Sequence, residues 1–283
     1  MNTPPLPSAD IEILRRLADR KVQLAEHPVN RERRQAWLTH DAGAGGRPMI
    51  LAEYGGVRDA RLPFQPELAC QTEWARNWER TLRAEFYQFD VLQDDHVIEP
   101  WIATGWRVQT SDYGVHSTVH TGDNAGHLGA RRWDPPLRDL DADFAKLHPR
   151  TYTVDRAGSL AEKERLESVF GAILPVTLRG GFYWTLGLTI VAIDLIGLEN
   201  LMLYMYDNPA GLHRLMAFLR DDHQAFTQWL EREGLYTLNN ANDYIGSGSM
   251  GYTRRLPQTD LPAGAPARRR DLWMLSESQE TVG

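Results

Sequence analysis

Apolar side chains recur every three or four residues in several stretches of this chain, a spacing that predicts amphipathic helices. The stretches are residues 9–26, 30–40, 70–89 and 160–170. The best-defined helix follows Asn208, with Asn208 as N-cap, Pro209 at the first helical position and Gly234 just after the end. Its apolar stripe consists of Leu212, Leu215, Met216, Leu219, His223, Phe226 and Leu230.

Four short apolar runs bounded by Gly, Pro or polar clusters predict strands. They are residues 49–56, 97–102, 173–181 and 271–275. Because these strands alternate with helices, we expect a parallel sheet, and a parallel sheet needs helices on both faces or closure into a barrel. Two polar, Gly-rich stretches, 103–153 and 236–270, lack this alternation and predict long loop regions, the first with a small hairpin.

Composition narrows the function. A formal net charge of −7 over 283 residues argues against a nucleic-acid surface, which needs a positive field. Cys70 is the only cysteine, which excludes an intrachain disulfide, and the first residues lack the basic and apolar regions of a signal peptide. Charged residues interrupt the apolar stretch 185–206, which disfavours a membrane span. We therefore expect a cytoplasmic protein.

Glu99 is the most informative titratable residue, since it lies within the apolar run 97–102. A buried carboxylate is costly unless it is paired or used in chemistry. Two interpretations stay open: an acid, base or cation stabiliser, or a structural salt bridge with an arginine.

Two further motifs are only weak evidence for a nucleotide site and for a metal site. Residues 246–251 match a dinucleotide-binding glycine pattern, but no helix is predicted after them, which favours a loop. His116 and His120 have helical ligand spacing within a region that favours strand or loop.

Several segments together resemble the uroporphyrinogen decarboxylase superfamily. They are ESVFGAILPV, HVIEP, the long stretch from GLENLMLYMYDNPAG to LEREGL, and the terminal LWMLSESQETVG. The resemblance covers roughly residues 48–283 and implies a TIM-barrel-like (β/α)8 fold. Residues 1–47 would then be an N-terminal helical extension, and 103–153 and 236–270 long insertions.

The resemblance also implies site residues at the carboxyl ends of the barrel strands. Where the decarboxylase carries an arginine motif that grips the substrate's propionates, this chain has Glu53 and Tyr54. Glu99 corresponds to the essential aspartate of strand two, and Ser278 to a serine of strand four, whereas Thr189 stands near a family tyrosine. We expect Glu99 to be catalytic, and Glu53, Tyr54, Arg179 and Ser278 to bind substrate.

By the same resemblance, the protein is expected to be a methyltransferase that acts with a corrinoid protein. Tetrapyrrole decarboxylation is one alternative. In the methyltransferases, zinc held by His and Cys of later strands activates a thiol, so we expect those ligands beyond Gly283 and the chain to hold about the first half of the barrel. Another alternative is a non-catalytic half-barrel that needs a partner or dimerisation.

Overall fold

A computed structural model describes residues 5–52, 68–121, 131–180, 187–246 and 249–274. Eight α-helices lie in these ranges. They are α1 (Ser8–Ala25), α2 (Pro28–Asp41), α3 (Glu73–Tyr87), α4 (Leu140–Asp143), α5 (Arg156–Phe170), α6 (Thr189–Ile196), α7 (Leu198–Asp207) and α8 (Pro209–Arg232). A π-helical turn, Gln88–Leu92, extends α3.

The described strands are short and pair two by two. They are β1 (Ile102–Gly105), β2 (Arg107–Thr110), β3 (Thr118–Thr121), β4 (Arg131–Asp134), β5 (Tyr152–Asp155), β6 (Val176–Arg179), β7 (Tyr244–Gly246) and β8 (Ser249–Met250). β1 and β6 are parallel, with Ile102 opposite Val176 and Gly105 opposite Arg179. The pairs β2–β5, β3–β4 and β7–β8 are antiparallel. The fold is therefore mixed α/β with far more helix than strand.

The β1–β6 pair lies within the main hydrophobic core. Leu14 of α1, Leu82 of α3 and Phe170 of α5 are all at most 1% exposed and pack with Ile102 and Val176. Full burial of one such side chain stabilises the fold by roughly 2 kcal/mol. The N-terminal helix α1 thus shares a core with the parallel strands.

A second core forms between α6 and α8. Ile193 and Ile196 of α6 pack against Leu215 and Leu219 of α8. Leu215 and Leu219 belong to the predicted apolar stripe of α8, and this helix begins at Pro209 as predicted. The other predicted helices are also confirmed, by α1, α2, α3 and α5; α2, however, begins at Pro28 and is capped by His27, not by Asn30.

The third predicted strand is confirmed by β6, which pairs parallel to β1. The prediction of one larger parallel sheet is wrong for the described residues, where the other three strand pairs are separate and antiparallel. The prediction for the second strand is wrong in position, because β1 begins only at Ile102. Pro100 has no N–H to donate to a ladder, and the backbone of Ile98 instead pairs with the side chain of Asn30. The apolar run correctly predicted burial but not strand pairing.

The first and fourth predicted strands are wrong in the parts that the structure describes. The amides of Ile50 and Ala52 donate to the carboxylates of Asp95 and Asp94 rather than to a neighbouring strand. Arg269–Asp271 is a 3₁₀ turn. Over the described ranges, the strands do not close into a barrel.

None of the helices in the described ranges has both the length and the apolar composition needed to cross a membrane. Among the described helices, only α6 and α7 taken together are long and apolar enough, and the two helices are separated by a bend of 97°.

Candidate functional site

Helix α2 positions Glu99 through two residues one turn apart. Asn30 is fully buried and holds Ile98 from both sides: its Nδ2 donates to Ile98 O at 2.7 Å, and its Oδ1 accepts from Ile98 N at 3.1 Å. Arg34, four residues later, lies on the same helix face and donates from Nη2 to Glu99 Oε2 at 3.1 Å. The helix therefore holds the backbone before Glu99 and also supplies its counter-charge.

The second oxygen of Glu99 accepts from a tyrosine far along the chain. The hydroxyl of Tyr252 donates to Glu99 Oε1 at 3.0 Å. Burial, and next the negative charge of Glu99, raise the pKa of Tyr252, which keeps its hydroxyl protonated as a donor. Glu99 is only 8% exposed. Both interpretations of this residue thus have support, since it pairs with an arginine and is also buried at a cavity.

The cavity beside Glu99 has a volume of about 330 Å³. Its lining combines two indoles with charged and polar groups, and Lys21 pairs with Glu85 in its wall. The lining residues are Lys21, Trp78, Thr81, Leu82, Glu85, His96, Val97, Glu99, Trp101, Ile102, Ala103 and Asn242.

Asn242 is one of the lining residues, and among the described residues its amide is bonded on one side only. Its Nδ2 donates to Val97 O at 2.7 Å, which sets the orientation of the amide. Its Oδ1 is buried and has no hydrogen-bond partner among the described residues. A buried acceptor without a partner costs free energy in the folded state.

His96 lines the same cavity and is held from behind by Asp94. Its Nδ1 lies 2.8 Å from Asp94 Oδ2. Asp94 also accepts from Ala52 N at 2.7 Å and from Gln88 Nε2 at 2.8 Å. Although burial opposes it, these hydrogen bonds, with that from His96 the largest, lower the pKa of Asp94 to about 2. Asp94 is therefore a carboxylate at neutral pH.

Arg179 is the last residue of β6, as expected for a residue at a carboxyl strand end. Its Nη2 donates to Leu238 O at 2.7 Å and to Asp243 Oδ1 at 2.8 Å, and its guanidinium lies 5.9 Å from the centroid of the Trp101 ring. Burial raises the pKa of Asp243 in spite of this pairing, and Asp243 Oδ2 has no partner among the described residues. Arg179 thus reaches the wall of the cavity through Trp101.

Glu99 and Arg179 do not share one end of the sheet. Glu99 precedes β1 by three residues, whereas Arg179 lies opposite Gly105, at the carboxyl end of that strand. The prediction that both lie at carboxyl strand ends is therefore wrong for Glu99. The displaced start of β1 is the reason.

Three of the predicted site residues lie outside the described ranges: Glu53, Tyr54 and Ser278. Their role in substrate binding stays a prediction. Thr189, near the position of the family tyrosine, is the first residue of α6.

The described residues offer no group of three or more His, Cys, Asp or Glu side chains that could hold a metal ion. Cys70 is buried, and burial followed by its hydrogen bond to Glu79 raises the pKa of its thiol to about 12. A thiol that stays protonated is a poor zinc ligand. His120, whose spacing from His116 suggested a metal ligand, has its Nε2 2.8 Å from Asp134 Oδ2.

Sequence reasoning missed Tyr252, Arg34, Asn242 and the Asp94–His96 pair. Asn30 and Arg34 carried a usable signal, because their spacing puts both on one face of a predicted helix. Tyr252 and Asn242 carried none, since they approach Glu99 only through tertiary contacts in a region without periodicity. A scan of protein-family models and searches of curated proteins and of solved structures found no match to this chain.

Proposed function

We propose that this chain carries the active-site carboxylate of a uroporphyrinogen decarboxylase-like enzyme, and that the reaction is methyl transfer with a corrinoid protein as partner. The arrangement around Glu99 carries the proposal. A buried carboxylate is fixed through both oxygens, by Arg34 and Tyr252, and lines a cavity with Trp78 and Trp101.

This geometry suits a group that develops positive charge. A methyl group moves between donor and acceptor as the equivalent of a cation, and a fixed carboxylate beside it stabilises the charge in the transition state. Trp78 and Trp101 line the same cavity, and an indole that presents its face to a cationic or polarised methyl group would stabilise it further. Glu99 would therefore act electrostatically, and its fixed position spares the cost of reorganisation.

The finer fold belongs to the same proposal. The parallel strands β1 and β6, with α5 directly before β6, are consistent with one unit of a (β/α)8 barrel. The cytoplasmic location and a homodimer stay predictions as well. The described residues do not fit a zinc site, and no step proposed here depends on zinc.

The charge of the cavity lining favours methyl transfer over tetrapyrrole decarboxylation. The one lysine in its wall is already paired with Glu85, which leaves little positive charge for a substrate with many carboxylates.

The test is turnover with methylcobalamin as donor and 2-mercaptoethanol as acceptor, followed by the cobalamin absorbance, alongside a decarboxylation assay with uroporphyrinogen. We expect Glu99→Gln to reduce methyl transfer at least about a hundredfold. Glu162→Gln is the matched control, because Glu162 pairs with Trp74 and is not part of this cavity.

Wild-type turnover in Glu99→Gln would reject the role of Glu99. Decarboxylation without methyl transfer would establish the runner-up reaction. If the wild-type chain catalyses neither reaction, the expectation of a non-catalytic chain that needs a partner is favoured instead.

A further inference from the structure

Asp94 and His96 form a carboxylate–imidazole pair beside the cavity. Asp94 is 7% exposed, and its Oδ1 also accepts from the backbone N–H of His96 at 3.1 Å. The carboxylate therefore holds both the main chain and the ring of the histidine. The ring is only partly buried, with 28% of the side chain exposed.

The polar groups around His96 favour one tautomer of its ring. Gln88 Nε2 has two hydrogens, and they go to Ala52 O at 3.1 Å and to Asp94 Oδ2 at 2.8 Å. Although Gln88 Nε2 lies 2.5 Å from His96 Nδ1, it has no third hydrogen to donate. The carboxylate of Asp94, 2.8 Å from Nδ1, favours a proton on Nδ1, which leaves Nε2 as a lone-pair acceptor.

The free nitrogen has a role only if a ligand can reach it. His96 lines the same cavity as Glu99 and Asn242, and no hydrogen bond joins its Nε2 to another described residue. A free acceptor on the wall of this cavity indicates a ligand that brings a hydrogen-bond donor.

We propose that His96 is the general base of this cavity, that Asp94 positions its ring, and that the methyl acceptor is a small molecule with an O–H, N–H or S–H group. This inference rests on the function proposed above and adds the residue that removes the proton of the methyl acceptor. The proton of the acceptor passes to His96 Nε2, while the electron pair left on the acceptor forms the new bond to the methyl group. The bond between methyl group and corrinoid breaks, and its electron pair stays on the corrinoid.

The first measurement needs no activity. The nine histidines are labelled with ¹⁵N, and long-range ¹H–¹⁵N spectra are recorded at a pH where imidazoles are neutral, with the His96→Gln spectrum giving the assignment. We expect the Nδ1–H form for His96, opposite to the form that free histidine prefers. An Nε2–H form overturns the proposal. Asp94→Ala, where it folds, should lose the Nδ1–H preference, which a merely structural Asp94 would not control.

The second measurement is the effect of His96→Gln on methyl transfer to 2-mercaptoethanol. We expect kcat to fall at least about a hundredfold with KM little changed, because the base acts on the proton rather than on binding. His116→Gln, whose side chain is 81% exposed, should leave both constants unchanged. Unchanged kcat in His96→Gln overturns the proposal even if Glu99→Gln is inactive, so the two failures are distinguishable.

If the wild-type chain transfers no methyl group, the proposed function fails. Reaction with diethyl pyrocarbonate then tests separately whether His96 Nε2 is accessible and basic. This reagent acylates unprotonated imidazole nitrogens. Acylation of His96, located by mass spectrometry of peptides, supports an accessible basic Nε2. Complete reaction at His116 with none at His96 overturns it.

Discussion

At the scale of single residues, Glu99 shows why a buried charge has to be interpreted through its partners. Its two oxygens accept from Tyr252 and Arg34, and a buried pair of this kind is costly to break, because the remaining charge keeps its desolvation penalty. A salt bridge and a catalytic role are therefore compatible here. The same contacts that hold the carboxylate also fix its position at the cavity.

Removal of one hydroxyl tests this interpretation. We expect Tyr252→Phe to lower the free energy of unfolding by about 1–3 kcal/mol, because Glu99 Oε1 would lose a donor in a buried setting. Urea denaturation at neutral pH measures the change. Tyr206→Phe is the control, since Tyr206 is 91% exposed and its variant should match the wild type. Equal midpoints for all three proteins would show that the Tyr252 hydrogen bond contributes nothing to stability.

At the scale of elements, the start of helix α8 could be predicted from the sequence, because its capping residues have characteristic identities. Asn208 Oδ1 accepts from Gly211 N at 2.9 Å, and Pro209 needs no donor at the first helical position. We expect Asn208→Ala to cost about 1 kcal/mol of stability, the usual effect of a lost N-cap.

The control for this substitution is Asn77→Ala, at an exposed position inside α3. Alanine is the better helix former there, so that variant should be unchanged or slightly more stable. Thermal or urea unfolding of the two variants gives the comparison. A loss of stability in Asn77→Ala as large as in Asn208→Ala would show that the capping position has no special effect.

Strands were harder to predict than helices for a physical reason. In three places a side chain bonds to the backbone where a neighbouring strand was expected: Asn30 at Ile98, Asp94 and Asp95 at the segment around Ile50, and Asn239 at Trp273. At Trp273, Asn239 both donates to the carbonyl and accepts from the amide, each at 2.9 Å.

Such side-chain partners leave the apolar pattern of a strand intact. Burial could therefore be predicted from the sequence, but the identity of the hydrogen-bond partner could not. The candidate site follows the same rule. Glu99 stood out because its charge interrupts an apolar run, whereas Tyr252 approaches it from 153 residues away and belongs to no periodic element. His96 and Asp94 are close in sequence, yet only the fold brings them to a cavity.

At the scale of the whole molecule, buried carboxylates bind separate parts of the chain together. Asp94 ties the segment around Ala52 to the entry of β1, Asp222 holds Arg150 and Tyr152 against α8, and Asp271 holds Arg268 and Gln258 near the C-terminal side of the described chain. The pKa values of Asp94 and Asp271 are both lowered to about 2, so these two groups are carboxylates at neutral pH. The molecule as a whole should therefore lose stability in acid as Asp94 and Asp271 take up protons.

Asp271 gives the clearest case, because it is fully buried and accepts from Arg268 and from Gln258 N. Its hydrogen bonds with Arg268, the largest cause, lower its pKa from 3.8 to about 2. A carboxylate whose pKa is lower in the folded than in the unfolded state stabilises the fold above the unfolded value. That stabilisation, on the order of 2 kcal/mol, is lost as the pH falls from about 4 to about 2.

We therefore expect the free energy of unfolding of the wild type to fall over this pH range, and Asp271→Asn to be less stable at pH 7 but to lose less as the pH is lowered. Urea unfolding at a series of pH values from 7 to 2 measures both curves. Asp221→Asn is the control, since 64% of that side chain is exposed. Wild type and Asp271→Asn should converge towards pH 2, because protonation then removes the charge that distinguishes them. Curves that stay parallel down to that pH would mean that the loss in Asp271→Asn comes from altered packing, and that Asp271 does not contribute its charge to acid sensitivity.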